Sequence, residues 1–458
     1  MTFGPNFNTF PPNLGGNDPR GAVSLSDFYA CMPQHKLIYV PNRELWPVES
    51  VNDRFPKVEV GVDGCGNKIT LKPSVYLARN RPVEQLIWAP GEPMLVRDRL
   101  VNEGGWITHP GVVTFNLYLP PPLLTGGEPG KAVKWLEHVE RIYPDDHEHV
   151  ILWLAHRVQR PEEKINHALV LGGDQGIGKD AIIEPVKRAI GPWNFQEANP
   201  QQVLGRFNSF VKAIILRISE IRDLGDYNRN EFYNRMKSFT AAPPDVLRCD
   251  EKNIREYSVF NVCSVIETTN YRAGEGLYLP PDDRRHYVTW SPCKRTDFDK
   301  TYWDDLWGYY DRGGDRHVAA YLQNLDLSGF NPKAPPPRTE AFWATVNAYR
   351  PSEDAELADV LDEMGNPDIV TLRRVAAKAS GDFAQWLNDR KNRRVIPHRF
   401  DAYGYRPVRN PDAESGLWVI RRRREVVYGR SDVPYSTLIA RIKEGDFHSS
   451  SPHPQPKG

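Results

Sequence analysis

Residues 167–191 read HALVLGGDQGIGKDAIIEPVKRAIG, and the fold turns on them. Ala168, Leu169, Val170 and Leu171 make a short apolar run of the kind that forms a buried strand. The run breaks into Gly173-Asp174-Gln175-Gly176-Ile177-Gly178-Lys179-Asp180 before a helical pattern begins. Gly173, Gly178 and Lys179 satisfy the G-x-x-x-x-G-K spacing of a loop that cradles a polyphosphate, with Gly176 and Ile177 inside it. Small residues let successive backbone N–H groups turn inward, the lysine reaches the β- and γ-phosphates, and the next helix points its N-terminus at the charge. Asp180 departs from the pattern, standing where a Ser or Thr hydroxyl normally touches magnesium. The plainer alternative is a glycine-rich turn that binds nothing. Glycines at 172, 173 and 176 ahead of the Gly-Lys pair weigh against it.

Composition narrows little else. A chain of 458 residues has room for about two to four domains. Its 59 basic and 59 acidic residues cancel, so only the distribution of charge can point to a nucleic-acid partner. Cys31, Cys65, Cys249, Cys263 and Cys293 lie far apart with no C-x-x-C, so we expect a reduced cytoplasmic setting, no disulfide scaffold and no structural zinc. No basic-then-apolar leader and no apolar run of about 18 residues is present, so no membrane partner is expected. Forty prolines argue for many ordered loops.

Residues 1–22, rich in Asn, Gly and Pro, are expected to be a flexible arm. From 23 to 125, short β-branched or aromatic runs (37–40, 58–62, 68–71, 84–90, 112–120) predict a β-rich or α+β module. In the last of these, Val113, Phe115, Leu117 and Leu119 alternate with Thr114, Asn116 and Tyr118. Trp46, Trp88 and Trp106 read as core or interface residues. Residues 126–130 read as a linker, and 126–165 as a helical collar with Val133, Leu136, Val139 and Tyr143 on one face. Past the phosphate loop, a helix over 200–210, a strand over 213–218, a helix over 231–239, a run over 257–266 and a strand over 286–290 predict a parallel sheet with helices on both faces. Residues 299–325 read as helical, and the prolines of 331–338 as the domain boundary. Helices over 340–349, 354–364 and 372–387, then strands over 416–420 and 426–428 meeting at 421–424, follow the order of a winged-helix module over 339–447. Between 371 and 430 there are 15 Lys or Arg and 6 Asp or Glu, a surplus of nine positive charges. Residues 448–458 are expected to be a disordered tail.

Hydrolysis of ATP in such a loop needs a magnesium ligand and a residue that orients water, both beyond the C-terminal ends of strands. The strand over 213–218 ends in Ser219-Glu220 where two acids are usual, so Glu220 is the candidate carboxylate. Asp180 and Ser219 then read as an exchange of oxygen types around one Mg²⁺, with Asp180, Ser219 and Glu220 as its candidate ligands. Asn270 ends the next apolar strand and can sense a γ-phosphate, although a helix cap is an equal reading. Arg284 and Arg285 are either a surface ion-pair cluster with Asp282 and Asp283 or cations that reach a neighbouring subunit's nucleotide. Residues 237–253, with Lys237, Arg248 and Lys252, read as a hairpin that touches a polyanion.

Taken together, GGDQGIGKD, AIILRISEI, the 237–253 loop, FNVCSVIETTN and DDRRHYVTW resemble the superfamily 3 helicases, in particular the helicase half of phage and prophage primase-helicases related to the poxvirus primase-helicase. The resemblance implies an α/β, AAA+-like P-loop core with a collar before it. It also implies a homo-oligomeric ring, expected to be hexameric, and ATP- and Mg²⁺-driven movement on single-stranded or forked DNA. The setting it implies is replication of a phage or mobile element. Carried onto this chain, Lys179 is the phosphate lysine, Glu220 the catalytic carboxylate, Asn270 the sensor, Arg284 or Arg285 the finger in trans, and Lys252 the leading DNA contact of the central loop. Arg393, Arg394, Arg421, Arg422 and Arg423 are further candidate contacts in the basic C-terminal module. The first 125 residues lack a convincing D-x-D metal pair, so priming would need a separate primase or polymerase. Two other classes stay open: an ATP-gated DNA remodeller or initiator without processive unwinding, and a DNA-binding subunit that only holds nucleotide.

Overall fold

The structure, a computed structural model, describes residues 23–122, 124–219, 221, 225–349 and 352–445. The 1–22 arm, the 448–458 tail and Glu220 therefore lie outside the described residues. The chain divides into two compact units, residues 1–348 and 349–458.

The first unit is built around a five-stranded sheet of β1 (Ala168–Gly172), β2 (Phe195–Ala198), β3 (Ile215–Ile218), β4 (Ser264–Thr269) and β5 (His286–Trp290). Its order is β2-β3-β4-β1-β5, with every pair parallel. Parallel strands need crossovers and buried faces, which is why β1 and β4 are buried at every position. This α/β arrangement is consistent with an AAA+-like core. Because all five strands run the same way, the loops after β1, β3 and β4 meet at one end of the sheet.

Helix α1 (Val133–Ile142) and α2 (His147–Gln159) precede β1, α3 (Lys179–Ile190) follows the glycine loop, and α4 (Gly225–Thr240) lies between β3 and β4. The buried face of α1 is Trp135, His138, Val139 and Ile142, whereas Val133, expected inside, is exposed. Pro185 within α3 cannot donate to the carbonyl four residues back; the Tyr310 hydroxyl supplies that bond to the Ala181 carbonyl at 2.9 Å. Residues 299–325 form α5 (Lys300–Tyr309) and α6 (Asp315–Asn324), with Gly313 at φ +92 in the wider turn between them.

Several expectations need correction. The helix expected over 200–210 stops at Leu204, ahead of Gly205. The run over 257–266 is two strands in different sheets: Tyr257–Phe260 pairs antiparallel with Val246–Cys249, and β4 begins only at Ser264. Asn261 separates them, its amide donating to the Ser238 and Pro244 carbonyls at 3.0 and 2.8 Å. The 126–130 linker is packed down. A Cβ on Gly127 would lie 2.1 Å from the Arg316 carbonyl oxygen, and the Glu128 amide donates to His317 Nδ1 at 2.9 Å.

The proline boundary also moves. Asn166 donates to the Pro332 carbonyl at 2.7 Å, and Thr339 Oγ1 to the Val288 carbonyl at 2.5 Å. Helix Glu340–Ala348 buries Phe342 and Val346 in the same core as the sheet, so the first unit runs on to Ala348. The prolines make 331–338 an irregular strap on the first unit, not a hinge between units.

Ahead of α1, one sheet orders Glu44–Pro47, Lys36–Tyr39, Phe28–Cys31 and Pro82–Val83; another orders Gln85–Ile87, Gly105–Asn116 and Leu95–Asn102. Residues 113–119 do not alternate between core and solvent, because Thr114 and Asn116 are buried too. Asn116 Oδ1 accepts from the Ala89 and Tyr118 amides, each at 3.0 Å. Its Nδ2 donates to the Ala89 and Glu92 carbonyls at 2.8 and 2.9 Å. Fully satisfied, such an amide behaves as core.

In the second unit, Val427–Arg430 lies between Ile369–Thr371 and Tyr405–Val408 in an antiparallel sheet. The helix expected over 372–387 is two, Leu372–Lys378 and Gly381–Asn388, broken where Ala379 and Ser380 turn extended. The expected pairing of 416–420 with 426–428 shifts: Trp418–Ile420 pairs with Arg423–Glu425, leaving Arg421 and Arg422 alone in the turn. Phe400 stacks on Tyr428 at 4.0 Å in the core.

Candidate active site and nucleic-acid-facing surfaces

The glycine loop leaves β1 at Gly172 and enters α3 at Lys179, with Gly173, Gly176 and Gly178 at φ +144, +82 and +95. Gly178 is required twice. Its backbone is left-handed, and a Cβ there would lie 2.6 Å from both the His138 ring and Trp303. His138 Nε2 donates to the Gly178 carbonyl at 3.1 Å, and Nδ1 accepts from the Tyr302 hydroxyl at 2.6 Å. Burial holds this imidazole down at about 4, so it is neutral and its tautomer is fixed by those two partners. The loop is thus braced by α1 and α5, neither of which the motif itself contains.

Lys179 Nζ donates to the carbonyls of Gly173 at 2.7 Å and Asp174 at 2.9 Å, and to Asn270 Oδ1 at 2.8 Å. Burial lowers its ammonium to about 8, against the pull of the Asp180 and Asp174 carboxylates. Lys179, Asp180, Arg217, Ser219 and Asn270 line one cavity of about 510 Å³, which Trp303 and Trp307 line as well. Asp180 and Ser219 are therefore brought together. Asp180, however, is held by Arg217, whose Nη2 lies 2.5 Å from its Oδ1. Among the described residues no group of three or more His, Cys, Asp and Glu is placed to hold a metal ion.

Arg284 and Arg285 are not at this cavity. They precede β5, at the end of the sheet opposite the glycine loop, and the Arg285 carbonyl accepts from Ala168 at the start of β1. With Lys237, Tyr233, Asn234 and Tyr278 they line a separate cavity of about 500 Å³. Asp283 fixes their turn: its Oδ1 accepts from the amides of Arg285 and His286 and from His286 Nδ1 at 2.9, 3.0 and 3.1 Å, and its Oδ2 from the Tyr233 hydroxyl at 2.8 Å. Burial alone would lower the His286 imidazole, but Asp283 and the fully buried Glu267, 3.6 Å from Nε2, raise it to about 10. Burial would raise Asp283, and the His286 cation with these hydrogen bonds brings it to about 2.

Lys237, Arg248 and Lys252 do not share one loop. Lys237 lies on α4 and donates to Asn234 Oδ1 at 2.8 Å. Arg248 lies on a hairpin strand and pairs with Glu103 at 2.5 Å. Lys252 is exposed at the hairpin tip. The tip is clasped by the N-terminal module: Gln34 exchanges two hydrogen bonds with the Arg255 backbone at 2.7 and 2.8 Å, and Lys36 Nζ reaches the Asn253 carbonyl at 3.3 Å. Trp106 packs on Phe260.

In the second unit Arg393, Arg394, Arg421, Arg422 and Arg423 are all exposed. Arg421 and Arg422 take φ +47 and +66, the left-handed pair of a tight hairpin turn that favours Asn-Gly. Among the described residues no helix is long and apolar enough to cross a membrane.

A family model described as a family of unknown function, DUF5906, matches residues 171–285. No curated protein matches the chain. The apo structure of the NrS-1 C-terminal region (305–718) superposes with a TM-score of 0.62 at 15% identity, covering 88% of this chain and 95% of that one. Its A form does so at 0.59 and 14%, covering 88% and 96%. The chain shares this fold. That likeness of fold accords with the resemblance to superfamily 3 helicases carried by the order of motifs. An X-ray structure of JCV Helicase overlaps at a TM-score of only 0.27 and 9% identity, over 54% of this chain and 64% of its own, too little to place any residue.

Sequence reading missed His138, Arg217, Glu267, Trp303 and Trp307. Two of them left a signal: Arg217 and Glu267 are charged residues inside otherwise apolar strand runs.

Proposed function

We propose that this chain is an ATP-dependent DNA helicase or translocase that works as a homo-oligomeric ring on single-stranded or forked DNA. The observation that carries the reading is the 2.8 Å contact between Lys179 Nζ and Asn270 Oδ1 at the loop-bearing end of the parallel sheet. A lysine collapsed onto its own loop carbonyls and a sensor amide is placed to turn to phosphate oxygens. The flanking Trp303 and Trp307 offer flat apolar surface for a base.

Mg²⁺ takes few protein ligands and keeps several waters. The Asp180 carboxylate and Ser219 hydroxyl in one cavity fit that demand, and Glu220, the third candidate ligand, lies outside the described residues. Bound there, the ion would neutralise charge developing on the phosphates. Asn270 would orient the terminal phosphate, and Glu220 the attacking water. Arg284 and Arg285, at the opposite end of their own sheet, would serve a neighbouring subunit's nucleotide. Lys252, with Arg248 and Lys237, and Arg393, Arg394 and Arg421–423 of the second unit would contact DNA backbone. In the second unit, the wing-like turn supports the DNA assignment. Two left-handed arginines cost about 1–2 kcal/mol each, which folding alone does not require.

The test is ATP hydrolysis with and without single-stranded DNA, for wild type and Lys179→Ala. DNA-stimulated turnover lost in the variant supports the reading, and nucleotide binding without turnover sinks it. The clasp of Gln34 and Lys36 on the hairpin tip favours a second reading, an ATP-gated remodeller or initiator that moves the hairpin once and does not unwind processively.

A further inference from the structure

We propose that Arg217 is a cis cation for the terminal phosphate of a bound nucleoside triphosphate, held in reserve by Asp180 until phosphate displaces it. The inference rests on the nucleotide reading above and adds a residue that the phosphate-loop motif does not include.

Arg217 is an arginine where the strand calls for an aliphatic residue. Its neighbours Ile215, Leu216 and Ile218 are buried, and its own side chain is 18% exposed. Placing a guanidinium there carries a desolvation cost that only good partners offset. Its partners are incomplete: Nη2 pairs with Asp180, Nη1 lies 3.8 Å from Glu197, and buried Nε has no hydrogen-bond partner among the described residues. A guanidinium short of acceptors, in the same cavity as the phosphate lysine, is matched to a phosphate, whose oxygens accept from its planar fork.

The two ends of the pair differ. Arg217 is anchored in β3, between Glu197 of β2 and Ile266 of β4, whereas the Asp180 side chain is 71% exposed on the first turn of α3. The carboxylate is the end that moves. A triphosphate brings several negative charges against the single charge of Asp180, and like-charge repulsion drives Asp180 outward, toward solvent or a metal. The ion pair Asp180–Arg217 becomes phosphate–Arg217, with no bond made or broken. A diphosphate stops short of the terminal position, so Arg217 should separate the two nucleotides.

The experiment measures binding of ADP and a non-hydrolysable ATP analogue, with and without magnesium, by calorimetry and tryptophan fluorescence, on the full chain. Wild type, Arg217→Gln, Arg217→Lys, Asp180→Asn and Lys179→Ala are compared, each with a melting curve. We expect Arg217→Gln to weaken the ATP analogue about tenfold or more and ADP less than about threefold. Arg217→Lys should fall between, and Asp180→Asn should keep the triphosphate preference without magnesium. Equal losses for the two nucleotides in both Arg217 variants, or an Asp180→Asn variant that loses the preference as Arg217→Gln does, would mean a structural brace and overturn the inference. If Lys179→Ala binds both nucleotides as wild type does, the nucleotide reading itself fails, a result separate from an Arg217 failure in a site that Lys179 controls.

Discussion

The His138 ring fills the space that a side chain at position 178 would need, and its Nε2 donates to the Gly178 carbonyl at 3.1 Å. Helix α1, which carries His138, therefore sets the shape of the glycine loop. Gly178→Ala should both strain a left-handed residue and collide with His138 and Trp303, destabilising the loop by about 1–3 kcal/mol. Calorimetry should show nucleotide affinity reduced about tenfold or more, while far-ultraviolet circular dichroism stays native. Unchanged affinity would mean the brace is incidental.

His286 provides a pH signature. Its ring faces Asp283 and Glu267, with the Tyr233 hydroxyl on Asp283 and neutral His167 nearby. Its folded value of about 10 lies above the ordinary value of about 6.5. The stability it contributes is thus complete below about pH 6.5 and lost as pH rises toward 10. Stability measured by urea denaturation across that window should fall more steeply for wild type than for His286→Gln. Parallel curves would show that the imidazole is not held as a cation.

Asn116 satisfies four backbone groups from a buried position. Asn116→Ala should cost about 2–4 kcal/mol, seen as a lowered melting temperature. Asn116→Asp should do no better, because a carboxylate cannot donate to the Ala89 and Glu92 carbonyls. An Asn116→Ala variant within about 0.5 kcal/mol of wild type would contradict a structural role for these four hydrogen bonds.

Arg421 and Arg422 form an exposed turn in a region of surplus positive charge. The paired substitutions Arg421→Asn and Arg422→Gly relieve the left-handed backbone and remove two charges together. The double variant should melt at or above the wild-type temperature yet bind duplex DNA more weakly, with the salt slope reduced by about one to two. Stronger or unchanged binding would remove the turn from the DNA surface.

Much of the core was legible because parallel strands buried on both faces leave continuous apolar runs, as 168–171 does. What misled were positions where tertiary partners decide. Asn116 reads as a solvent-facing residue until four backbone groups close on it. Pro332 reads as a hinge until Asn166 donates to its carbonyl. Arg217 stands out within AIILRI, but its meaning depends on Asp180, 37 residues earlier in the chain. The separation of Arg284 and Arg285 from the glycine loop follows from strand direction, which no local pattern reveals.

Strand displacement on a forked duplex distinguishes a DNA motor from an ATP-gated switch. The wild-type chain should displace the strand only when both ATP and magnesium are present, and Lys179→Ala should displace none. ATP hydrolysis stimulated by DNA but with no strand displaced at any protein concentration would contradict the motor and leave the ATP-gated remodeller in its place.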